Sequence, residues 1–222
     1  MKKGIVLLSG GLDSTVTMSI AMQECDIVYP IHANYGQLTE NREYKAFIDI
    51  CNYYKIDEKL VISLDYLKKI GGSALTDHTL TVPQNGDGLK DEIPITYVPF
   101  RNGNLLSIAA SYAEVKEANY IYIGAVEEDS SGYPDCRLEF LKEFQKAINL
   151  GNRPETNIEI KLPIIFSSKK DIVKIGMELN SPLELSWSCY SSNEKACGKC
   201  DSCLLRLKGF KEAGFTDPIE YE

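Results

Sequence analysis

Residues 4–15 read GIVLLSGGLDST: an unbroken apolar run, a Ser-Gly-Gly turn, then Asp13, Ser14 and Thr15 opening a helical pattern. A continuous apolar run is the signature of a strand buried on both faces, and such strands belong to parallel sheets. A glycine-rich turn that carries such a strand into a helix presents unpaired backbone N–H groups at the positive end of the helix dipole. That is an anion site, and phosphate is the anion it suits. The turn has no lysine and lacks both the G-x-x-x-x-G-K-[ST] and the G-x-G-x-x-G spacings, so neither a Walker loop nor a dinucleotide fingerprint is present.

The string SGGLDST (9–15) resembles instead the pyrophosphate loop of the ATP pyrophosphatases, which activate a carbonyl or carboxyl oxygen as its adenylate. The resemblance implies that Leu8, Ser9, Gly10, Gly11, Leu12, Asp13, Ser14 and Thr15 hold ATP. The glycines admit the phosphates to the backbone, and the hydroxyls add donors. Asp13 is awkward among phosphate oxygens unless magnesium or an amide takes its charge, so magnesium is expected with ATP.

From this first unit the pattern alternates. Strands are predicted at 5–8, 26–33, 59–64, 120–124 and 159–162, and helices at 14–23, 39–54, 105–116, 137–149 and 168–179. The fifth helix opens on a capping-box pair, Ser168 and Asp171. The expected fold is therefore α/β: an open parallel sheet with helices on both faces. Between 70 and 98, Gly71, Gly72, Pro83, Gly86, Gly88 and Pro94 break the pattern for too long to be a simple turn. A lid or a dimer contact is expected there, and the chain is expected to be a homodimer.

A second cluster lies at the far end. Cys189, Cys197, Cys200 and Cys203 stand in CYSSNEKACGKCDSC, a spacing that suits a closed tetrahedral structural zinc site. Two disulfides and an iron–sulfur cluster are the alternatives. Against the first stands the odd remainder of Cys25, Cys51 and Cys136, with no secretory leader, which favours a reducing, cytoplasmic setting. Against the second stand Leu204 and Leu205, where ferredoxin-type runs continue with another cysteine and a proline. The three remaining cysteines read as small core residues, and His32 and His78 as non-metal residues. The boundary is expected near 180, with an ATP-binding domain over 1–180 and a zinc-binding region with a C-terminal helix over 181–222.

The 222 residues carry a net charge of −8, which argues against a nucleic-acid surface. The basic tract Arg206, Lys208, Lys211 reads as the solvated face of the last helix. No apolar run approaches the ~20 residues a membrane span requires.

In an open parallel sheet ligands bind beyond the carboxyl ends of the strands, and the segments there are polar. They are YGQ (35–37), YVPFRN (97–102), and an acidic loop that runs from Asp129 into SGYPDCR (131–137). With SKK (168–170), WSCY (187–190) and CGKCDSCLLR (197–206), their order and distances resemble the 7-cyano-7-deazaguanine synthases over nearly the whole chain. That family turns 7-carboxy-7-deazaguanine, ammonia and ATP into a nitrile through an adenylate and an amide, releasing AMP and pyrophosphate.

The resemblance implies that Tyr35 and Gln37 lie near the nucleotide and that Lys169 acts with Asp13 and Ser14 in catalysis. It implies also that Arg101, Asn102, Asp129, Tyr133, Asp135 and Arg137 grip the deazaguanine acid. Leu38 and Thr39 stand where the family often has Arg-His, and Tyr190, Ser191, Ser192 where Asn-Gly is common. A different pyrophosphate-loop ligase, and a zinc-stabilised nucleotide sensor without turnover, remain the competing readings.

Overall fold

The structure, a computed structural model, describes residues 1–77, 79–88, 93–127 and 132–222. His78 and Asp129 lie outside the described residues.

Five parallel strands form one sheet in the order β3-β2-β1-β4-β5: β1 (Lys3–Leu7), β2 (Ile27–Asn34), β3 (Leu60–Ser63), β4 (Tyr120–Ile123) and β5 (Glu159–Lys161). All five are the expected strands. The helices are α1 (Leu12–Glu24), α2 (Glu40–Tyr53), α3 (Asp65–Ile70), α4 (Arg101–Lys116), α5 (Leu138–Gly151), α6 (Lys169–Glu178) and α7 (Asp201–Ala213). Short α3 was not expected, and α4 begins at Arg101 rather than Leu105.

Successive side chains of a strand face opposite sides, and β1 serves two cores on that account. Ile5 and Leu7 join Tyr29, Ile31, Ile121 and Ile123 under α4 and α5, through Leu106, Ala109, Ala113 and Leu141. Val6 and Leu8 join Val28 and Tyr122 under α1 and α2, through Met18, Ala21, Phe47 and Ile50. A proline in an inner strand is unusual because it cannot donate to the ladder. Pro30 pairs with Val6 on one side, but the ladder with β3 starts only at Ile31. At Pro30, β2 is therefore still an edge.

The chain runs β1, β2, β3 outward in one direction and then returns to place β4 on the other side of β1. The crevice where the direction reverses lies between β1 and β4, at their carboxyl ends, and this is where such sheets bind ligands. The turn after β1 opens into it.

The carboxyl-terminal part packs onto this frame. Ser168 caps α6 through a complete capping box with Asp171. Gly209 of α7 lets the two helices touch: a Cβ there would lie 2.9 Å from the Lys169 Cβ. Arg206 corrects the surface reading of its tract. It is buried, forms a bidentate pair with Asp217 at 2.7 and 2.9 Å, and donates to Ser186, Ser188 and the Leu183 carbonyl. All five guanidinium donors are thereby used. Lys208 and Lys211 are exposed, as the helical spacing suggested.

The described part of the 70–98 segment is packed against the body. Ser73, Ala74, Leu75 and Thr76 are buried, Leu38 N donates to Leu75 O, and Asn85 N donates to Lys199 O. No described helix is long and apolar enough to cross a membrane.

Candidate active site

A cavity of about 360 Å³ sits over the carboxyl ends of β1, β2 and β4. Its floor is Leu7, Leu8, Ile31, Ala33 and Ile123, and one wall is the turn after β1, through Ser9, Gly11, Leu12, Asp13 and Ser14. Gly11 occupies the N-cap of α1, and no side chain caps the helix, so its first-turn amides stay available to an anion. Hydroxyls brace the turn from within: Ser14 and Thr15 donate to Gly11 O at 3.0 and 2.8 Å. Ser9 Oγ lies 3.0 Å from Ser14 Oγ and accepts from Gly11 N.

Gly10 has φ +91°, and a Cβ there would come within 2.9 Å of both Ala46 Cβ and Glu43 O. The phosphate turn is thus pressed directly onto the first turns of α2, and only glycine fits. Gly10→Ala is expected to lower stability by about 1–3 kcal/mol and to weaken ATP binding together with it. Urea melts and nucleotide titration check this; an unchanged variant would show that the turn is not held by this contact.

Lys169, at the start of α6, reaches back to Asp13 with Nζ–Oδ2 at 2.5 Å. The other carboxylate oxygen, Asp13 Oδ1, is buried without a hydrogen-bond partner. A buried, unpartnered carboxylate oxygen beside an anion-binding turn is a fitting oxygen ligand for a hard cation such as magnesium.

Arg101 and Tyr35 face this turn from across the cavity. Arg101 Nη1 donates to Tyr35 Oη at 2.9 Å, and the guanidinium lies 5.3 Å from the Tyr35 ring centroid and 5.9 Å from that of Tyr133. Burial pushes the Tyr35 phenol up. The Tyr133 hydroxyl is held by Thr96 Oγ1 at 3.0 Å.

Arg101 owes its position to Phe100, in the left-handed region at φ 56°, and to Asp135, whose carboxylate caps α4 by accepting from Asn102 N at 2.7 Å and Asn102 Nδ2 at 3.1 Å. Burial raises the Asp135 pKa against these bonds. Asn102 Nδ2 also donates to Cys136 Sγ at 3.2 Å, and burial drives that thiol up to about 12.

Most of the expected residues therefore meet in one cavity: Leu8, Ser9, Gly11, Leu12, Asp13, Ser14, Tyr35, Arg101, Asn102, Tyr133 and Lys169 all line it. Gly10 and Thr15 stand behind the turn. Asp135 lies beneath Asn102, and Gln37 is buried behind Tyr35, accepting from Tyr35 N at 2.9 Å. Arg137 is the exposed N-cap of α5. Sequence reasoning missed Glu43, Thr96, Ser188, Tyr190 and Asp201, which also line the cavity. Glu43 stood only within the expected helix 39–54, and Asp201 only within the CGKCDSCLLR stretch.

The cysteine cluster lies beside the cavity: its sequence neighbours Ser188, Tyr190, Asp201 and Ser202 line it. The Sγ atoms of Cys189, Cys197, Cys200 and Cys203 lie within 4.8 Å of one another and are buried, and all seven cysteines are free thiols. A tetrahedron of sulfurs about 2.3 Å from zinc has edges of about 3.8 Å, so the donor set fits. Backbone amides support the thiolates: Cys189 Sγ accepts from Ser191 N and Cys197 N, each at 3.4 Å, and Cys197 Sγ from Cys200 N at 3.3 Å. Between the cluster and the phosphate turn stands Trp187, whose backbone N donates to Gly10 O at 2.8 Å.

The family model described as "Queuosine biosynthesis protein QueC" matches residues 3–214. A 7-cyano-7-deazaguanine synthase of Nautilia profundicola is 55% identical over 222 residues, 100% of this chain and 99% of that protein. One of Aliarcobacter butzleri is 52% identical over 221 residues, 100% of this chain and 96% of that protein.

Among solved structures, a 4-thiouridine synthetase in complex with RNA and ATP superposes with TM-score 0.54 at 18% identity, over 81% of this chain and 41% of that one. The U34-tRNA thiolase NcsA of Methanococcus maripaludis, with its [4Fe-4S] cluster, gives 0.50 at 18%, over 82% and 57%. These two share the fold. The full-length relatives and the match over 3–214 show more: this chain belongs to the QueC family of queuosine biosynthesis enzymes.

Proposed function

We propose that this protein converts 7-carboxy-7-deazaguanine, ammonia and ATP to 7-cyano-7-deazaguanine, through an acyl adenylate and a primary amide, releasing AMP and pyrophosphate. The observation that carries the reading is the placement of the Asp13–Lys169 pair and the uncapped α1 amides opposite Arg101 within one cavity. One side suits a triphosphate; the other suits a carboxylate.

The α1 amides with Ser9 and Ser14 hold the pyrophosphate end. Lys169 stabilises charge that develops on the phosphoryl group undergoing attack, and Asp13 orients that lysine. Asp13 Oδ1 would hold the magnesium that accompanies ATP, an ion that would screen the phosphate charge. Arg101 grips the substrate carboxylate with a charge-assisted bond, and Tyr35 and Tyr133 flank it as aromatic walls for the deazaguanine ring. Asn102 and Asp135 set the first turn of α4, so Asp135 positions Arg101 rather than meeting the substrate. The four thiolates would hold one zinc, whose contribution would be to folding.

Free cysteines throughout suit a reducing compartment, the cytoplasm. Exposed Ile93, Ile95 and Phe100 flank the cavity-lining Pro94, Thr96 and Arg101 and support a homodimer.

A carboxylate loses two oxygens on its way to a nitrile, and each departure takes one adenylation. Two ATP are therefore expected per nitrile, with AMP as the product, and the primary amide should accumulate when ATP is limiting. Oxygen-18 in the substrate carboxylate should appear in AMP. Formation of ADP, or AMP that never carries the label, would overturn the reading. Release of no pyrophosphate at all would indicate a nucleotide sensor.

A further inference from the structure

We propose that Glu43 is a catalytic residue that binds the incoming ammonium ion in the cavity and takes its proton. The inference rests on the nitrile-forming reading above and deepens it.

Three described residues of the cavity lining carry carboxylates: Asp13, Glu43 and Asp201. Asp13 is engaged by Lys169 at 2.5 Å. Asp201 lies in the first turn of α7, next to Cys200 of the cysteine cluster, and packs against Gly88 there.

Glu43 differs from both. Its hydrogen-bond partners are neutral: Thr39 Oγ1 donates to Oε1 at 2.7 Å and Gln37 Nε2 donates to Oε2 at 3.1 Å. Among the described residues no ion pair involves it. Arg101, a cation that acts on it electrostatically, gives a donor to Tyr35. A carboxylate at a cavity wall whose hydrogen-bond partners are all neutral attracts a small cation.

Its backbone stands against the phosphate turn and it lines the cavity. The Glu43 carbonyl is where a Cβ on Gly10 would collide, at 2.9 Å, so the residue stands immediately behind the phosphate turn. It faces the same Arg101 that holds the substrate carboxylate. Burial, opposed by the Thr39 and Gln37 bonds, raises its pKa, which strengthens it as a base. Thr39 and Gln37 occupy both carboxylate oxygens from one side and thereby fix the rotamer.

The step balances as follows. Ammonium gives one proton to the Glu43 carboxylate, and the freed nitrogen lone pair forms a C–N bond at the adenylate carbonyl carbon. The C–O bond to AMP breaks, its electron pair leaving on the AMP phosphate oxygen, and the nitrogen releases a second proton to water. Acyl adenylate and ammonium thus become amide, AMP and two protons.

The two halves of the reaction separate this role from a structural one, because only the first uses ammonia. With purified zinc-loaded protein, Glu43→Gln is expected to slow acid-to-amide conversion by ~10²-fold or more, the scale of a lost general base. KM for ammonium should rise, while amide-to-nitrile conversion with ATP should change by no more than a few-fold. Glu43→Asp, which keeps the charge, should recover part of the first half. The proposal is overturned if either variant, folded by circular dichroism, loses both halves equally, or if KM for ammonium is unchanged in Glu43→Gln. If the unsubstituted protein performs neither half, the nitrile-forming reading fails first and takes this inference with it.

Discussion

Cys200→Ser is expected to leave little soluble, folded protein, and the intact protein is expected to carry about one zinc per chain. Structural zinc in small domains contributes an apparent ~10–16 kcal/mol, against a total stability of about 5–15 kcal/mol for a typical domain. The lost ligand therefore outweighs the margin that the rest of the fold supplies.

The damage should not stay local. Cys200 pairs with Gln84 in an isolated antiparallel bridge, neighbouring Lys199 O accepts from Asn85 N, and Ala196 N donates to Glu220 O. The 84–88 strand of loop, the tail and the phosphate turn all lean on the cluster. Metal analysis and thermal melting with and without a chelator check this. Stoichiometric iron would refute zinc, and a metal-free protein with an unchanged melt would remove the metal from the folding argument.

Asp13→Asn is expected to lower turnover by ~10²–10³-fold, the scale seen when a group acting on developing transition-state charge is lost, while the fold survives. Asparagine keeps the shape but not the charge, so the Lys169 ammonium is no longer held at 2.5 Å and Oδ1 no longer offers an anionic ligand. Both side chains are partly solvated, 27% exposed for Asp13 and 15% for Lys169, so the cost to stability should be small beside the cost to rate. Lys169→Met should cost a similar factor, and the double variant little more than either alone, since groups acting as a unit are not additive. Turnover within a few-fold of the parent would refute the assignment.

What the chain disclosed in advance was local. The apolar run into SGGLDST, the Ser168–Asp171 capping box and the clustered cysteines each carry their meaning within a few residues, and each was found where expected. What stayed hidden depends on partners distant in sequence. The start of α4 could not be placed because its first turn follows Pro99 and a left-handed Phe100, and its cap is Asp135, 33 residues further on. Arg206 looked like one of a row of surface cations because its counter-charge, Asp217, lies in the tail beyond the helix. Glu43 stood only within the expected helix 39–54; its place at the cavity wall follows from the close approach of Gly10.

The central position of β1 bears on the order in which the molecule assembles. The strand nearest the amino terminus must wait for β4 before its second edge is paired, and the Asp13–Lys169 contact joins residues 156 apart in the chain. Contacts of such span are paid for in loop entropy before they return anything, and they slow folding. The ATP site is thus a late product of folding. A chain released with only its first half collapsed has the phosphate turn but not the lysine, and its unpaired β1 edge is the surface by which it would aggregate.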